Sequence, residues 1–183
     1  MNERLVYVVG PSGAGKDSLL QWLLRHPPGH ETLHLARRSV TRSVPGDAGT
    51  DEPVEQDTFE RLALTGGFAL HWSANGCHYG IRAGQLAPIE AGAWVLVSGS
   101  RGHLPQARLS HPGLTVVHVH ASPDVLARRL RARGRETEAE VQARLRRALA
   151  FEPPADALCI ANDHDLDSAG RQLRDSLFSR KVC

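Results

Sequence analysis

The sequence predicts an α/β fold built on a largely parallel sheet. Short apolar, β-branched runs at residues 5–9, 94–97, 114–119 and 158–161 read as buried strands. Stretches of helical periodicity alternate with them. The first run ends at Gly10, and the glycine-rich segment after it leads straight into a helical pattern. At 183 residues, 41% hydrophobic and 23% charged, the chain has the size and composition of one globular domain and is too apolar for a disordered one.

The elements follow in order. Residues 15–25 carry the helical spacing of Leu19, Leu20, Leu23 and Leu24, and Pro27-Pro28-Gly29 ends it. Residues 33–40 form a weaker strand candidate, and the acidic, Gly- and Pro-rich stretch 45–57 reads as a loop. Asp57 and Glu60 have capping-box spacing before a short helix, with Asp57 in the cap role, and Gly66-Gly67 ends that helix. Residues 68–72 and 77–81 pair as a hairpin across Ser73-Ala74-Asn75-Gly76, because Asn-Gly is a strong turn signal. Residues 82–91 look helical. Ser122-Pro123-Asp124 starts a helix over 125–133, a second arginine-rich helix runs from 136 to 151, and a last one covers 167–178.

Charge and cysteine usage narrow the function classes. The net charge is only +2, yet the only lysines are Lys16 and Lys181, so twenty of the basic residues are arginine. Ten arginines fall between residues 101 and 150, while 44–60 holds six acids and no base. Arginine's rigid fork of donors suits phosphate, although a GC-rich genome enriches arginine as well. Few aromatics and no recognisable nucleic-acid module argue against nucleic acid. No run reaches the roughly 18 apolar residues of a membrane span, and no secretion signal opens the chain. Cys77, Cys159 and Cys183 fit neither a metal spacing nor a disulfide framework, so a reducing cytoplasm is expected. The oligomeric state is left open, a homodimer included.

Gly10, Pro11, Ser12, Gly13, Ala14, Gly15 and Lys16 match the first seven positions of a P-loop, with a strand before and a helix after. Glycines let such a loop turn several backbone N–H groups toward one anion, and the helix adds the positive end of its dipole. The lysine reaches the β- and γ-phosphates of ATP. The eighth position, normally Ser or Thr for Mg²⁺, is Asp17, followed by Ser18. Asp17 is expected either to meet Mg²⁺ directly or through water, with Ser18 as the other candidate, or to cap the first helical turn.

Four segments give the whole chain a resemblance to the guanylate-kinase-like phosphotransferases. They are the P-loop, Ser39-Val40-Thr41-Arg42, the stretch 68–80 ending in His78-Tyr79-Gly80, and Leu130–Arg135 with Arg144. Ile160-Ala161-Asn162-Asp163 resembles the strand end beside the adenine pocket. The resemblance implies a P-loop kinase fold of one domain: a core at about 1–38 and 92–183, an acceptor-binding lobe at about 39–91 and an arginine-rich lid at about 131–147. It implies Ser39, Arg42 and Tyr79 on the acceptor phosphate, Arg133, Arg135 and Arg144 closing on ATP, and Asn162 near the adenine.

The departures narrow the substrate. His71 is read in place of the family's guanine-reading glutamate, and Ser43-Val44-Pro45 lacks its second acceptor arginine. Without the carboxylate, guanine's N1–H and amino donors go unpaired, and such a site discriminates strongly. Residues 10–20, His71-Trp72-Ser73-Ala74-Asn75-Gly76, Tyr79-Gly80 and residues 99–108 resemble the ribose 1,5-bisphosphate phosphokinases of bacterial phosphonate catabolism. That resemblance implies transfer of the γ-phosphate of ATP to ribose 1,5-bisphosphate, giving 5-phosphoribosyl 1-diphosphate. His71 is expected to pack beside Trp72 or bind a substrate hydroxyl. Arg101 follows a strand's carboxyl end, the usual ligand side of such a sheet. The alternatives are a nucleoside monophosphate kinase with altered base choice and a non-catalytic binding module, which the intact Gly15-Lys16 disfavours.

Overall fold

The computed structural model describes residues 4–29, 31–41, 51–134 and 136–179. In chain order the first elements are β1 (Leu5–Val9), α1 (Lys16–Arg25), β2 (Leu33–Leu35), β3 (Arg38–Val40), β4 (Asp51–Pro53) and α2 (Gln56–Leu64). The hairpin β5 (Phe68–Ala74) and β6 (Cys77–Arg82) follows, then β7 (Trp94–Ser98) and α3 (Leu104–Ser110). The chain ends with β8 (Thr115–His120), α4 (Pro123–Arg133), α5 (Glu138–Leu149), β9 (Leu158–Ala161) and α6 (Leu166–Phe178). Short 3₁₀ segments cover Ala83–Ile89 and Arg101–His103.

The core sheet has the order β2-β7-β1-β8-β9, and every pairing is parallel. β1 is central and buried on both faces, which is why it reads as a continuous apolar run. Val6 and Val8 pack with Leu19, Leu23 and Leu173 of α1 and α6. Leu5, Tyr7 and Val9 pack on the opposite side with Val95, Val97, Leu104 and Trp72. The chain leaves β1 and later returns to both of its neighbours. That reversal sets the carboxyl ends of β1, β7 and β8 side by side, the place where ligands settle in open α/β sheets.

A second sheet of order β4-β3-β6-β5 stands beside the core. Asn75 and Gly76 turn its hairpin at φ of 52° and 75°, the left-handed pair that a two-residue loop requires. A register shift lies between Phe68 and Leu70. Leu70, Trp72 and Ile81 join the core on one face, and Phe68 packs on Phe59 of α2.

Several expectations from the sequence are corrected. Residues 33–40 are two strands in two sheets. Exposed Arg37 separates them, and the buried Ala36 N–H donates to the Leu96 carbonyl at 2.9 Å. Apolar patterning cannot tell which sheet a strand joins. The expected loop contains β4, because Asp51 is buried against Arg38 across the strand pair. α2 begins one residue before Asp57, with Glu55 at its N-cap, so Asp57 sits in the first turn and caps nothing. The expected helix at 82–91 is 3₁₀, with Pro88 inside it. Helix α3, for which the sequence reading held no helix, places Leu104 and Ala107 in the core. Ser122 and Pro123 start α4 as expected, and Thr137 with Glu140 forms a capping box that starts α5 at Glu138.

The loop after β7 is shaped by a close approach. The Tyr7 ring runs directly beneath Gly99, so a Cβ there would lie inside the ring's van der Waals surface. Gly99→Ala is therefore expected to destabilise the fold by about 1–3 kcal/mol through overpacking, read as a lower denaturant midpoint. An unchanged midpoint would contradict this packing.

Candidate active site

The segment between β1 and α1 wraps into a loop whose sharp reversals fall at Gly13 and Gly15, both at φ 88°. Only glycine takes that conformation without strain. Two side chains tether the loop. The buried Asn162 amide donates to the Ala14 carbonyl at 2.7 Å, and its own N–H is fixed on the His120 carbonyl at 2.8 Å. Arg129, which the sequence reading missed, donates to the Gly13 carbonyl at 3.3 Å. It lies one helical turn before Arg133 on α4, and that spacing was the available signal. Turning these carbonyls away leaves the loop's N–H groups and the start of α1 to face an anion.

Lys16 begins α1 and folds back over the loop, with Nζ donating to the carbonyls of Gly10 at 3.1 Å and Pro11 at 3.4 Å. Burial pulls its pKa down to about 8; Arg38, Arg101 and Arg133 add to the effect and Asp17 opposes it.

A cleft of about 650 Å³ opens above Lys16, bounded by the loop, the hairpin, residues 99–102 and α5. Lys16, Arg38, Arg101, Arg144 and Arg147 line it, and no carboxylate among the described residues does. One wall is aromatic. The Tyr79 and Trp72 rings lie 5.6 Å apart at 9°, and His103 stacks on Trp72 at 5.2 Å. The Tyr7 hydroxyl accepts the Ser100 N–H at 3.1 Å and lies 3.0 Å from His103 Nδ1. Burial lowers the His103 pKa, and His71 reinforces the shift.

The expected site residues fall into several groups. Gly10, Ser12, Lys16, Tyr79, Arg101 and Arg144 line the cleft. Arg101 reaches across to α5, donating to the Arg147 carbonyl at 3.0 Å and lying over the Phe151 ring. Arg144 pairs with Glu136 at 3.3 Å. Arg133 is exposed at the end of α4, close enough to depress Lys16. Asp17 accepts the Ser98 hydroxyl at 2.7 Å, and Ser18 is exposed. Asn162 has its amide engaged by the loop. Ser39 is fully buried and accepts from Arg82 at 3.2 Å. His71 is exposed, lies near the Phe68 ring and is not among the residues that line the cleft. Arg42 and Arg135 lie outside the described residues.

Arg38, like Arg129 and Arg147, is a residue that sequence reasoning passed over. It leaves β3 into the cleft, 2.7 Å from Asp51 and with its Cζ 5.9 Å from the Tyr79 ring centroid. It adjoins Ser39 in sequence, and strand alternation puts the two on opposite faces.

Relatives of known name span nearly the whole chain. The ribose 1,5-bisphosphate phosphokinase PhnN of Thiobacillus denitrificans is 43% identical over 171 residues, 93% of this chain and 90% of the relative. The protein of the same name in Burkholderia pseudomallei is 46% identical over 173 residues, 93% of each. The chain belongs to the ribose 1,5-bisphosphate phosphokinase family. A third member, from Pseudomonas paraeruginosa, is 40% identical over the full length of both chains. No family model matches the chain. Among solved structures, a guanylate kinase from Anaplasma phagocytophilum superposes with a TM-score of 0.65 over 98% of this chain and 86% of its own, at 16% identity. The chain therefore has a guanylate-kinase-like fold. No helix among the described residues is long and apolar enough to cross a membrane.

The Lys16 shift gives a proton-linked expectation. Above pH 8 the free lysine is mostly neutral, and the phosphates of ATP favour its charged form. ATP binding at pH 9 should then take up about one proton, seen calorimetrically in buffers of different ionisation enthalpy. Lys16→Met should abolish the uptake. Buffer-independent heats in the unsubstituted protein would contradict the placement of Lys16.

Proposed function

We propose that this protein transfers the γ-phosphoryl group of ATP to the 1-phosphate of ribose 1,5-bisphosphate, releasing ADP and 5-phospho-α-D-ribose 1-diphosphate, in phosphonate breakdown. The observation that carries the reading is the cleft itself: five cationic side chains, no carboxylate among the described lining residues, and an opening onto the loop. Two phosphates on a sugar match such a lining. Guanine would find no carboxylate among the described residues of that lining for its N1–H and amino donors.

The attacking atom is an oxygen of the acceptor's own phosphate, already ionised at neutral pH, so no general base is required. The P–O bond to this oxygen forms as the bond to the β-phosphate oxygen breaks, and ADP leaves with the electron pair. The protein's task is positioning and charge neutralisation. The loop's N–H groups and Lys16 hold the β- and γ-phosphates. Arg38, Tyr79 and Arg101 hold the acceptor, joined by Arg42. Arg133, Arg135 and Arg144 close over the transferring group. The hairpin sheet thus serves as the acceptor lobe, and residues from about 131 to 147 as the lid.

The residues present fit Mg²⁺. The ion takes one or two protein carboxylates and completes its shell with phosphate oxygens and water. Asp17, one residue beyond Lys16 at the start of α1, is the carboxylate that would hold it, with Ser18 next to it. Bound there, the ion would neutralise charge between the β- and γ-phosphates.

The test is a panel of acceptors with ATP and Mg²⁺, scored for ADP release. Ribose 1,5-bisphosphate should give rapid turnover and GMP little. Arg38→Ala should raise the acceptor KM on the order of tenfold or more while the ATP KM changes by about twofold or less. GMP phosphorylated as efficiently as the sugar bisphosphate would overturn the assignment.

A further inference from the structure

The eighth loop position faces the acceptor side as well as the nucleotide side. Asp17 Oδ1 accepts the Ser98 hydroxyl at 2.7 Å. The same hydroxyl oxygen accepts from Arg38 Nη1 at 3.1 Å, and the Ser98 carbonyl accepts from it at 3.3 Å. Arg38 Nη2 lies 3.7 Å from Asp17 Oδ2, and Nε donates to Asp51 Oδ1 at 2.7 Å. Ser98, at the carboxyl end of β7, is 2% exposed, so water does not compete for its hydroxyl.

The polarity of the chain is fixed by chemistry. A serine hydroxyl has one proton. The Asp17 carboxylate can only accept, so it takes that proton and leaves the oxygen's lone pairs for Arg38. A serine or threonine at position 17 is itself a donor and an acceptor, and would not impose that direction. Asp51 fixes the near end of the guanidinium from the acceptor sheet, and Ser98 with Asp17 fixes the far end from the core. The arginine is thereby anchored to both sheets at once.

We propose that Ser98 and Asp17 are positioning residues for the acceptor, acting through Arg38. Asp17 thus orients the group that receives the sugar phosphate, in addition to its place beside the nucleotide. This rests on the assignment of Arg38 to the acceptor given above.

The experiment measures ribose 1,5-bisphosphate binding by calorimetry without nucleotide and in EDTA, so that no metal contributes, together with the KM for each substrate. Ser98→Ala should weaken acceptor binding about fivefold or more and raise the acceptor KM in step. ATP binding should stay within about twofold. Ser98→Thr keeps the hydroxyl and should restore most of the loss. Asp17→Asn should weaken acceptor binding in the metal-free assay, and Asp17→Asn with Ser98→Ala should be no worse than the worse single variant, because both act through one chain. If unsubstituted protein neither binds nor phosphorylates the sugar bisphosphate, the functional reading fails. If it does both, but Ser98→Ala binds acceptor as tightly or loses ATP and acceptor affinity alike, the positioning role is wrong.

Discussion

Gathering five cationic side chains around one cleft is the constraint on which the rest of the structure depends. Two like charges roughly 7 Å apart at a protein surface repel by about 2 kcal/mol. Each cation here is therefore held by an oxygen of the protein itself. Lys16 rests on the Gly10 and Pro11 carbonyls, Arg38 on Asp51 and Ser98, and Arg101 on the Arg147 carbonyl. Arg144 rests on Glu136 and Arg147 on the Ala143 carbonyl. Burial lowers the Lys16 pKa, and the neighbouring Arg38, Arg101 and Arg133 add to the shift.

The scaffold meets this demand with few side chains. Asn162 and Arg129 turn the loop's carbonyls aside from β9 and α4. Tyr7, at the centre of the core sheet, lies beneath Gly99 and receives the Ser100 N–H, setting the course of the loop that carries Arg101. The hairpin supplies the aromatic wall, and Trp72 shares packing with the core beneath it. The hairpin's aromatic wall and the loop after β1 are thus two sides of one packed unit.

What was legible in the sequence follows from how local each signal is. The P-loop, the Asn75-Gly76 hairpin and the Ser122-Pro123 helix start are set by neighbouring residues, and all three are found where expected. The partition of 33–40 into two sheets depends on partners in β7 and β6, distant along the chain, and apolar patterning carries no such information. The same blindness hid Arg38. It belongs to the site because Asp17, Ser98 and Asp51 surround it, and those contacts join three separate stretches of chain. His71 adjoins the cleft residue Trp72 but is itself exposed beside the Phe68 ring and is not among the residues that line the cleft. Asn162 was singled out at the correct strand end, and only the fold reveals that its amide engages Ala14.

The central claim is that phosphate is transferred onto phosphate at a cleft built for a sugar carrying two of them. Phosphorus NMR of the reaction mixture tests it most directly, because a new P–O–P bond and a new phosphate ester on a hydroxyl have different signatures. Incubated with ATP, Mg²⁺ and ribose 1,5-bisphosphate, the protein should convert the 1-phosphate resonance into a coupled pair of diphosphate doublets and leave the 5-phosphate signal in place. A new uncoupled monoester resonance, with the 1-phosphate unchanged, would contradict the account.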